Sequence, residues 1–304
     1  MIPTLLVISL LVFIIIELPP DDYIESYIAQ LEAQGEQANP ELLNFLRQQY
    51  GLEKPAYERY FGWVTGMVQG DFGFSFEYRM PVSEVIGDRL LLTILISIAT
   101  IMFTWIIAFP IAIYSATHQY SWGDYGLTLL GLMGLATPNF LLALIMLYFA
   151  NVVFGTSIGG LMDPEYLNQP WSLDKAVSVL EHLWVPVVVI GTAGTAGMIR
   201  KLRANLLDEL KKPYVVTARA KGLHPIRVIL KYPVRIAISP FISTIGWMLP
   251  GLFSGSAIIS VVLDLPTTGP LLLEALMSQD MYLAGSFIMV LSTLTVIGTL
   301  ISDL

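Results

Sequence analysis

The 304-residue chain is 55% hydrophobic and 13% charged, and it has no cysteine. Ordinary soluble domains are about 25% charged, and a chain without cysteine forms no disulfide and no thiolate metal site. The net charge of −8 is sorted: residues 200–240 hold ten of the sixteen Lys/Arg against two acids, Asp208 and Glu209, which leaves six cations facing twenty-two acids in the rest. Charge segregated along an apolar chain points to a membrane protein whose two faces differ.

Six uncharged runs mark candidate spans, since a helix needs about 20 apolar residues to cross the hydrocarbon. In chain order they are residues 1–16, 90–114, 125–162, 182–199, 236–263 and 281–302. The first is short. It lacks the basic leader of a signal peptide, and no small-x-small cleavage site follows Ile16. The sequence predicts an all-α polytopic protein with about six transmembrane helices. It divides into a first helix (1–18), an external helical segment (19–88) and a five-helix core (89–304) with a cytoplasmic loop at 200–235. Lys/Arg-rich loops stay inside, so the basic loop is cytoplasmic, and six spans place both termini on that side too. In the external segment, residues 24–34 and 40–50 have helical composition, and Val82 to Leu92 reads as an interfacial helix leading into the second span. That span ends near Pro110, before a connection of residues 118–124 that carries a single charge.

The basic loop has readable local structure. Pro213 suits the first turn of a helix, which continues to Lys221. Gly222 stands where a left-handed, helix-ending residue belongs. Pro225 opens a second helix that runs through Ile226 to Tyr232, and Pro233 kinks or ends it. On loop composition alone, a basic loop resting on anionic headgroups is an equal reading.

The residue pattern tips this balance. Thr217-Ala218-Arg219-Ala220-Lys221-Gly222-Leu223, then His224-Pro225-Ile226, Val234-Arg235-Ile236-Ala237 and Pro240, resembles the cytoplasmic loop of ABC-importer permeases of the oligopeptide/dipeptide family. Ile236 departs from it, standing where that family has a polar residue. Further stretches share the resemblance: Leu18-Pro19-Pro20, Gly51-Leu52-Glu53-Lys54-Pro55, Gly70-Asp71-Phe72-Gly73, Ala136-Thr137-Pro138-Asn139-Phe140, and Asp264-Leu265-Pro266 with Glu274-Ala275. The resemblance implies that Thr217–Ile226 docks into a groove on an ATP-hydrolysing subunit. It also implies a second homologous permease, two ATP-binding-cassette subunits and an extracytoplasmic substrate-binding protein as partners, in the inner membrane of a prokaryote. Pro138 kinks a pathway-lining helix in that family, and Asn139 is the better candidate to face a polar pathway.

The remaining motifs weigh against other chemistry. Gly191, Gly194 and Gly197 let helix backbones approach closely; without a preceding strand or a following Lys-Ser/Thr they form no phosphate cradle. The chain is therefore expected to bind no cofactor and no metal itself, with ATP and Mg held on partner subunits, and to be no enzyme. The fifth run carries glycine, proline and hydroxyls and suits a moving, path-lining helix. An intramembrane protease there would need a base beside the hydroxyl, and no histidine follows His224. The translocation-path candidates are Pro138, Asn139, Phe140, Met248, Ser254 and Ser256. A stand-alone secondary transporter or channel is the rival. Such proteins bury functional ionisable groups in their spans, and here only His182 lies at a span's edge. The resemblance implies a peptide or similar small oligomeric solute as cargo, with an oligosaccharide or a nickel chelate as alternatives. Nothing in the chain indicates a nucleic-acid partner.

Overall fold

The computed structural model describes residues 2–17, 54–75, 77–154, 159–166, 169–242 and 257–303. The predicted helices at 24–34 and 40–50 lie outside the described residues, as do Met248, Ser254 and Ser256. The helices are α1 (Ile2–Glu17), α2 (Ala56–Val68), α3 (Val82–Thr117), α4 (Trp122–Ala136), α5 (Asn139–Phe149, continued by a π-turn Ala150–Phe154), α6 (Leu173–Glu209), α7 (Pro213–Ala220), α8 (Pro225–Lys231), α9 (residues 233–242), α10 (Ala257–Val262), α11 (Thr268–Met277) and α12 (Met281–Asp303). A two-stranded antiparallel ribbon, β1 (Phe74–Ser75) and β2 (Met80–Pro81), pairs Phe74 with Pro81 and Ser75 with Met80.

Among the described residues, three helices are long and apolar enough to cross a membrane: Val82–Thr117, Leu173–Glu209 and Met281–Leu300. A bent pair, Trp122–Ala136 with Asn139–Val153, makes a fourth crossing if counted as one, and α1 is a shorter apolar helix. The chain is an all-α polytopic membrane protein. The fifth predicted span is described only at its two ends, 236–242 and 257–263. Leu6, Val7, Leu10, Leu11, Ile14 and Ile15 stay exposed on α1, a face that acyl chains cover at no cost.

Contacts divide the chain into two units, Met1–Leu92 with Thr267–Ile297, and Thr93–Pro266 with Gly298–Leu304. In the first, Val12 and Phe13 of α1 pack on Trp63 of α2, beside Tyr282, Ile288 and Met289 of α12. A second cluster joins Val82, Val85 and Ile86 to Leu271, Ala275, Leu283 and Phe287. Asp280, fully buried, organises the ribbon. Its carboxylate accepts from Ser75 Oγ at 2.5 Å and from the Glu77 amide at 3.2 Å, and it caps α12 through the Leu283 amide at 3.2 Å. Ser286 Oγ donates to the Phe72 carbonyl at 2.9 Å. Beside it Tyr78 donates to Glu274 at 2.5 Å, and burial followed by that bond pushes its phenol up to about 12. A raised pKa stabilises the fold fully below the ordinary value of 10.0, and the contribution is lost as pH climbs through 12.

Three expectations change here. Val82 to Leu92 is not a separate interfacial helix but the first third of α3, because no breaker separates it from the apolar run and its Val82, Val85 and Ile86 are buried. Pro110 does not end that span; α3 continues to Thr117 with Pro110 inside it. Ala108, Ala112 and Ala116 pack against α6 and α9 on both sides of the proline, which holds the helix in place where its own hydrogen-bond ladder is interrupted. The third change is at Pro138. Where a kink is expected, α4 and α5 meet at 98°.

The break has a local cause. Proline's ring excludes its predecessor from the helical region, and Thr137 is extended at φ −81°, ψ 122°. Thr137 covers the open helix end by bonding the Met133 carbonyl with both its amide (3.0 Å) and its hydroxyl (2.8 Å). Pro138 then starts α5, its carbonyl accepting from the Leu141 and Leu142 amides. Between Asp124 and Asp163 the chain travels most of the length of α6. Asp124, at the start of α4, bonds Arg203 of α6. Asp163, nine residues after Phe154, accepts from Ser178 Oγ at 2.7 Å and donates its amide back at 2.9 Å. Ser178 and Arg203 are twenty-five residues apart on one helix, about 37 Å at 1.5 Å per residue.

Candidate functional site

The basic end of α6 runs past its last apolar turn into charged residues, and the site is built there. Leu202 and Leu206 are buried among Ala108, Ala112 and Ala116 of α3 and Val234, Ala237 and Phe241 of α9, which anchors this end of α6 on two neighbours. Lys212 then turns extended, and Pro213 opens α7 at its first position. Gly222 has φ +73° and ends the helix, with its amide bonded to the Arg219 carbonyl at 2.9 Å. Pro225 opens α8, and Tyr232, at φ −111° and ψ −78°, separates α8 from α9. Two short helices with a glycine corner are what the sequence predicts for this stretch.

The corner is a packed body. Val215, Ala218 and Val228 are buried together, with Tyr214, Leu223 and Tyr232 around them. Tyr214 donates to the Glu209 carboxylate, fixing α7 to the end of α6. Burial first, and that hydrogen bond second, push the Tyr214 phenol up to about 12, so it remains a donor throughout physiological pH. The contribution is complete below pH 10.0 and fades as pH rises towards 12. Tyr214→Phe should weaken the α6–α7 junction by about 1 kcal/mol; faster amide exchange over 213–220, with the rest of the chain unchanged, is the expected readout.

The outer surface is different in kind. Val216, Ile226 and Leu230 are exposed. Thr217, Arg219, Ala220, Lys221, Gly222, His224, Pro225 and Arg227 are exposed around them. Lys231 lies 5.7 Å over the Tyr232 ring. Among the described residues the ion pairs are Arg59–Glu17, His182–Asp163 and Arg203–Asp124, so Arg219, Lys221 and Arg227 have no carboxylate neighbour. The exposed side of the corner therefore combines apolar side chains with cations that have no carboxylate partner among the described residues.

Residues 108–304 match the family described as binding-protein-dependent transport system inner membrane component, and residues 1–99 match the N-terminal component of the same transport systems. The chain belongs to this family. It is 35% identical to the oligopeptide transport system permease protein AppB of Bacillus subtilis, over 100% of this chain and 93% of that protein. It is 30% identical to a putative peptide permease of Brucella ovis (99% and 92% covered) and 29% identical to the glutathione transport system permease GsiC of Escherichia coli K12 (100% and 92%). The protein is therefore the permease subunit of an ABC importer, a multi-pass inner-membrane protein.

Within this permease, Pro138 is exposed at the break, Asn139 is half-buried as the first residue of α5, and Phe140 is exposed beside it. Of the three α6 glycines, Gly191 marks a close helix approach as the sequence predicts, a Cβ on Gly194 would stand in ordinary contact with Thr104 (3.7 Å), and Gly197 has nothing within 4 Å. A Cβ on Gly191 would stand 2.5 Å from Phe103 of α3, and one on Gly134 of α4 would stand 2.6 Å from Thr192 of α6. Sequence reasoning missed the pairing of Asp124 with Arg203, whose Nε and Nη2 reach the two carboxylate oxygens at 3.1 and 2.7 Å. The signal was present: Asp124 is the one charged residue between Arg89 and Asp163.

Proposed function

We propose that this permease forms half of a solute path that opens alternately outward and inward, and that the Thr217–Ile226 corner is its contact with an ATP-hydrolysing subunit. The observation that carries this is the corner itself: a rigid pair of short helices, fixed to α6 through Tyr214–Glu209, whose outer face is apolar inside an unpaired basic rim. A second homologous permease completes the path. Two ATP-binding-cassette subunits hold ATP and Mg, and an extracytoplasmic binding protein delivers the solute. The ten Lys/Arg gathered at the basic end of α6 support a cytoplasmic position for it, and in this reading both termini lie on that side, in the inner membrane of a prokaryote. The relatives' names favour a peptide over an oligosaccharide as cargo.

Co-purification is the direct test: a tagged permease should retain an ATPase through detergent extraction, and a permease isolated without one would sink this reading. Topology gives a second expectation. A reporter after Gly160 should lie outside and one after Lys212 inside; finding both on one face would remove the assignment of sides.

Pro138, Asn139 and Phe140 border the path in this reading. Asn139, the first residue of α5, carries a polar amide beside the 98° break. Asn139→Leu should lower uptake several-fold while leaving ATPase retention unchanged, because Asn139 is no part of the Thr217–Ile226 corner. Equal uptake by the two forms would take Asn139 off the path.

A further inference from the structure

We infer that Asp124 and Arg203 form a strut that carries motion from the ATPase contact to the break in the α4–α5 span, so both act as positioning residues for the transport cycle. The inference rests on the assignment of the Thr217–Ile226 corner as that contact.

The geometry supplies a continuous route. Tyr214 of α7 is bonded to Glu209 at the end of α6. Six residues earlier on the same helix, about 9 Å, stands Arg203. Its guanidinium grips both oxygens of Asp124. Asp124 is buried in the first turn of α4, its carboxylate also takes the Tyr120 amide at 3.0 Å, and its own amide is capped by Ser121 Oγ at 3.1 Å. Asp124 is thereby held in one orientation. Thirteen residues on, about 20 Å along α4, the helix stops at Thr137 and the chain turns through 98°.

Further along, α4 and α6 meet through small residues in close contact. Gly131 faces Ala196, and Gly134 faces Thr192. Small residues give close approach without a directional bond. Among the described residues Asp124–Arg203 is the one ion pair joining two membrane-crossing helices. A bidentate guanidinium–carboxylate pair fixes angle as well as distance. With it, a displacement of the basic end of α6 drags the start of α4, and α4 as a lever of 15 residues reorients at the proline break. Without it, the start of α4 loses its bidentate hold on α6.

A static staple would serve folding alone, and the two roles separate in the assembled, reconstituted importer. The chain has no cysteine, so spin labels can be placed at will. Trp122→Cys with Lys201→Cys puts exposed labels on either side of the strut. Leu129→Cys with Tyr148→Cys puts exposed labels on either side of the break. With the native pair, the first distance should stay fixed between nucleotide-free and ATP-bound states while the second changes. In the neutral double variant Asp124→Asn/Arg203→Gln, which removes both charges and strands neither, the ATPase should remain bound and the ATP-dependent change across the break should disappear. Three results would overturn the inference: a first distance that varies with nucleotide in the native pair, a change across the break that survives in the neutral variant, or loss of the ATPase from that variant. A first distance that varies in the native pair overturns the inference even if the variant fails to assemble. Failure of the corner assignment reads out separately, as ATPase retention in Gly222→Val.

Discussion

Gly222→Val should insert into the membrane at the normal level and lose its ATPase. Gly222 has φ +73° with no neighbouring atom within 4 Å of an added Cβ, so the chain itself offers no clash. The cost is in the backbone: left-handed geometry costs an L-residue roughly 1–2 kcal/mol, more when it is β-branched. The corner relieves this strain by rotating α7 against α8, and the ridge of Val216, Ile226 and Leu230 then loses its shape. A groove that fits the native ridge should bind the altered one about tenfold more weakly, or worse, since 1.4 kcal/mol is a factor of ten. Arg219→Ala and Lys221→Ala should each cost about 0–1 kcal/mol, as exposed charges do. A loop that served only to rest on anionic lipid would reverse the order, with charge loss harmful and Gly222→Val silent. ATPase retention, measured for all three variants in one membrane preparation, separates the two.

Gly191→Val should damage the fold itself. Its Cβ would meet Phe103 Cδ1 at 2.5 Å and Cε1 at 3.0 Å, with Thr104 Oγ1 at 3.4 Å. Two of these are ring atoms of one aromatic side chain, so α3 and α6 must move apart or the ring must leave its rotamer. Overpacking of this kind costs about 1–3 kcal/mol. Gly197→Val on the same helix is the control, because nothing lies within 4 Å of its added Cβ. The thermal unfolding midpoint in detergent should fall for Gly191→Val and stay near the native value for Gly197→Val. Equal midpoints would show that α3 and α6 pack less closely than the structure has them.

What the sequence determined by itself was everything that depends on composition and on short-range backbone chemistry. Uncharged runs of membrane length have one solution, the helix, because backbone groups in hydrocarbon must pair within their own segment. Proline at 213 and 225 and glycine at 222 restrict φ locally, so the two-helix corner was legible without any tertiary contact. The spacing of Gly191 and Gly194 likewise announced a close helix approach, though not which helix would use it.

Tertiary structure decided what no local rule contains. Pro110 and Pro138 are the same residue in similar apolar surroundings, yet α3 runs through the first and α4 stops at the second. Around Pro110, alanines pack on α6 and α9 and hold the helix together; at Pro138 the extended Thr137 closes the helix end with its own amide and hydroxyl. The two-stranded ribbon at Phe74–Pro81 forms because the buried Asp280 carboxylate, some two hundred residues away, takes the Ser75 hydroxyl and the Glu77 amide. The partner of Asp124 was equally out of sequence reach: a lone acid between spans announces that a cation must meet it, and only the packing of α4 on α6 selects Arg203 from the ten cations of the loop.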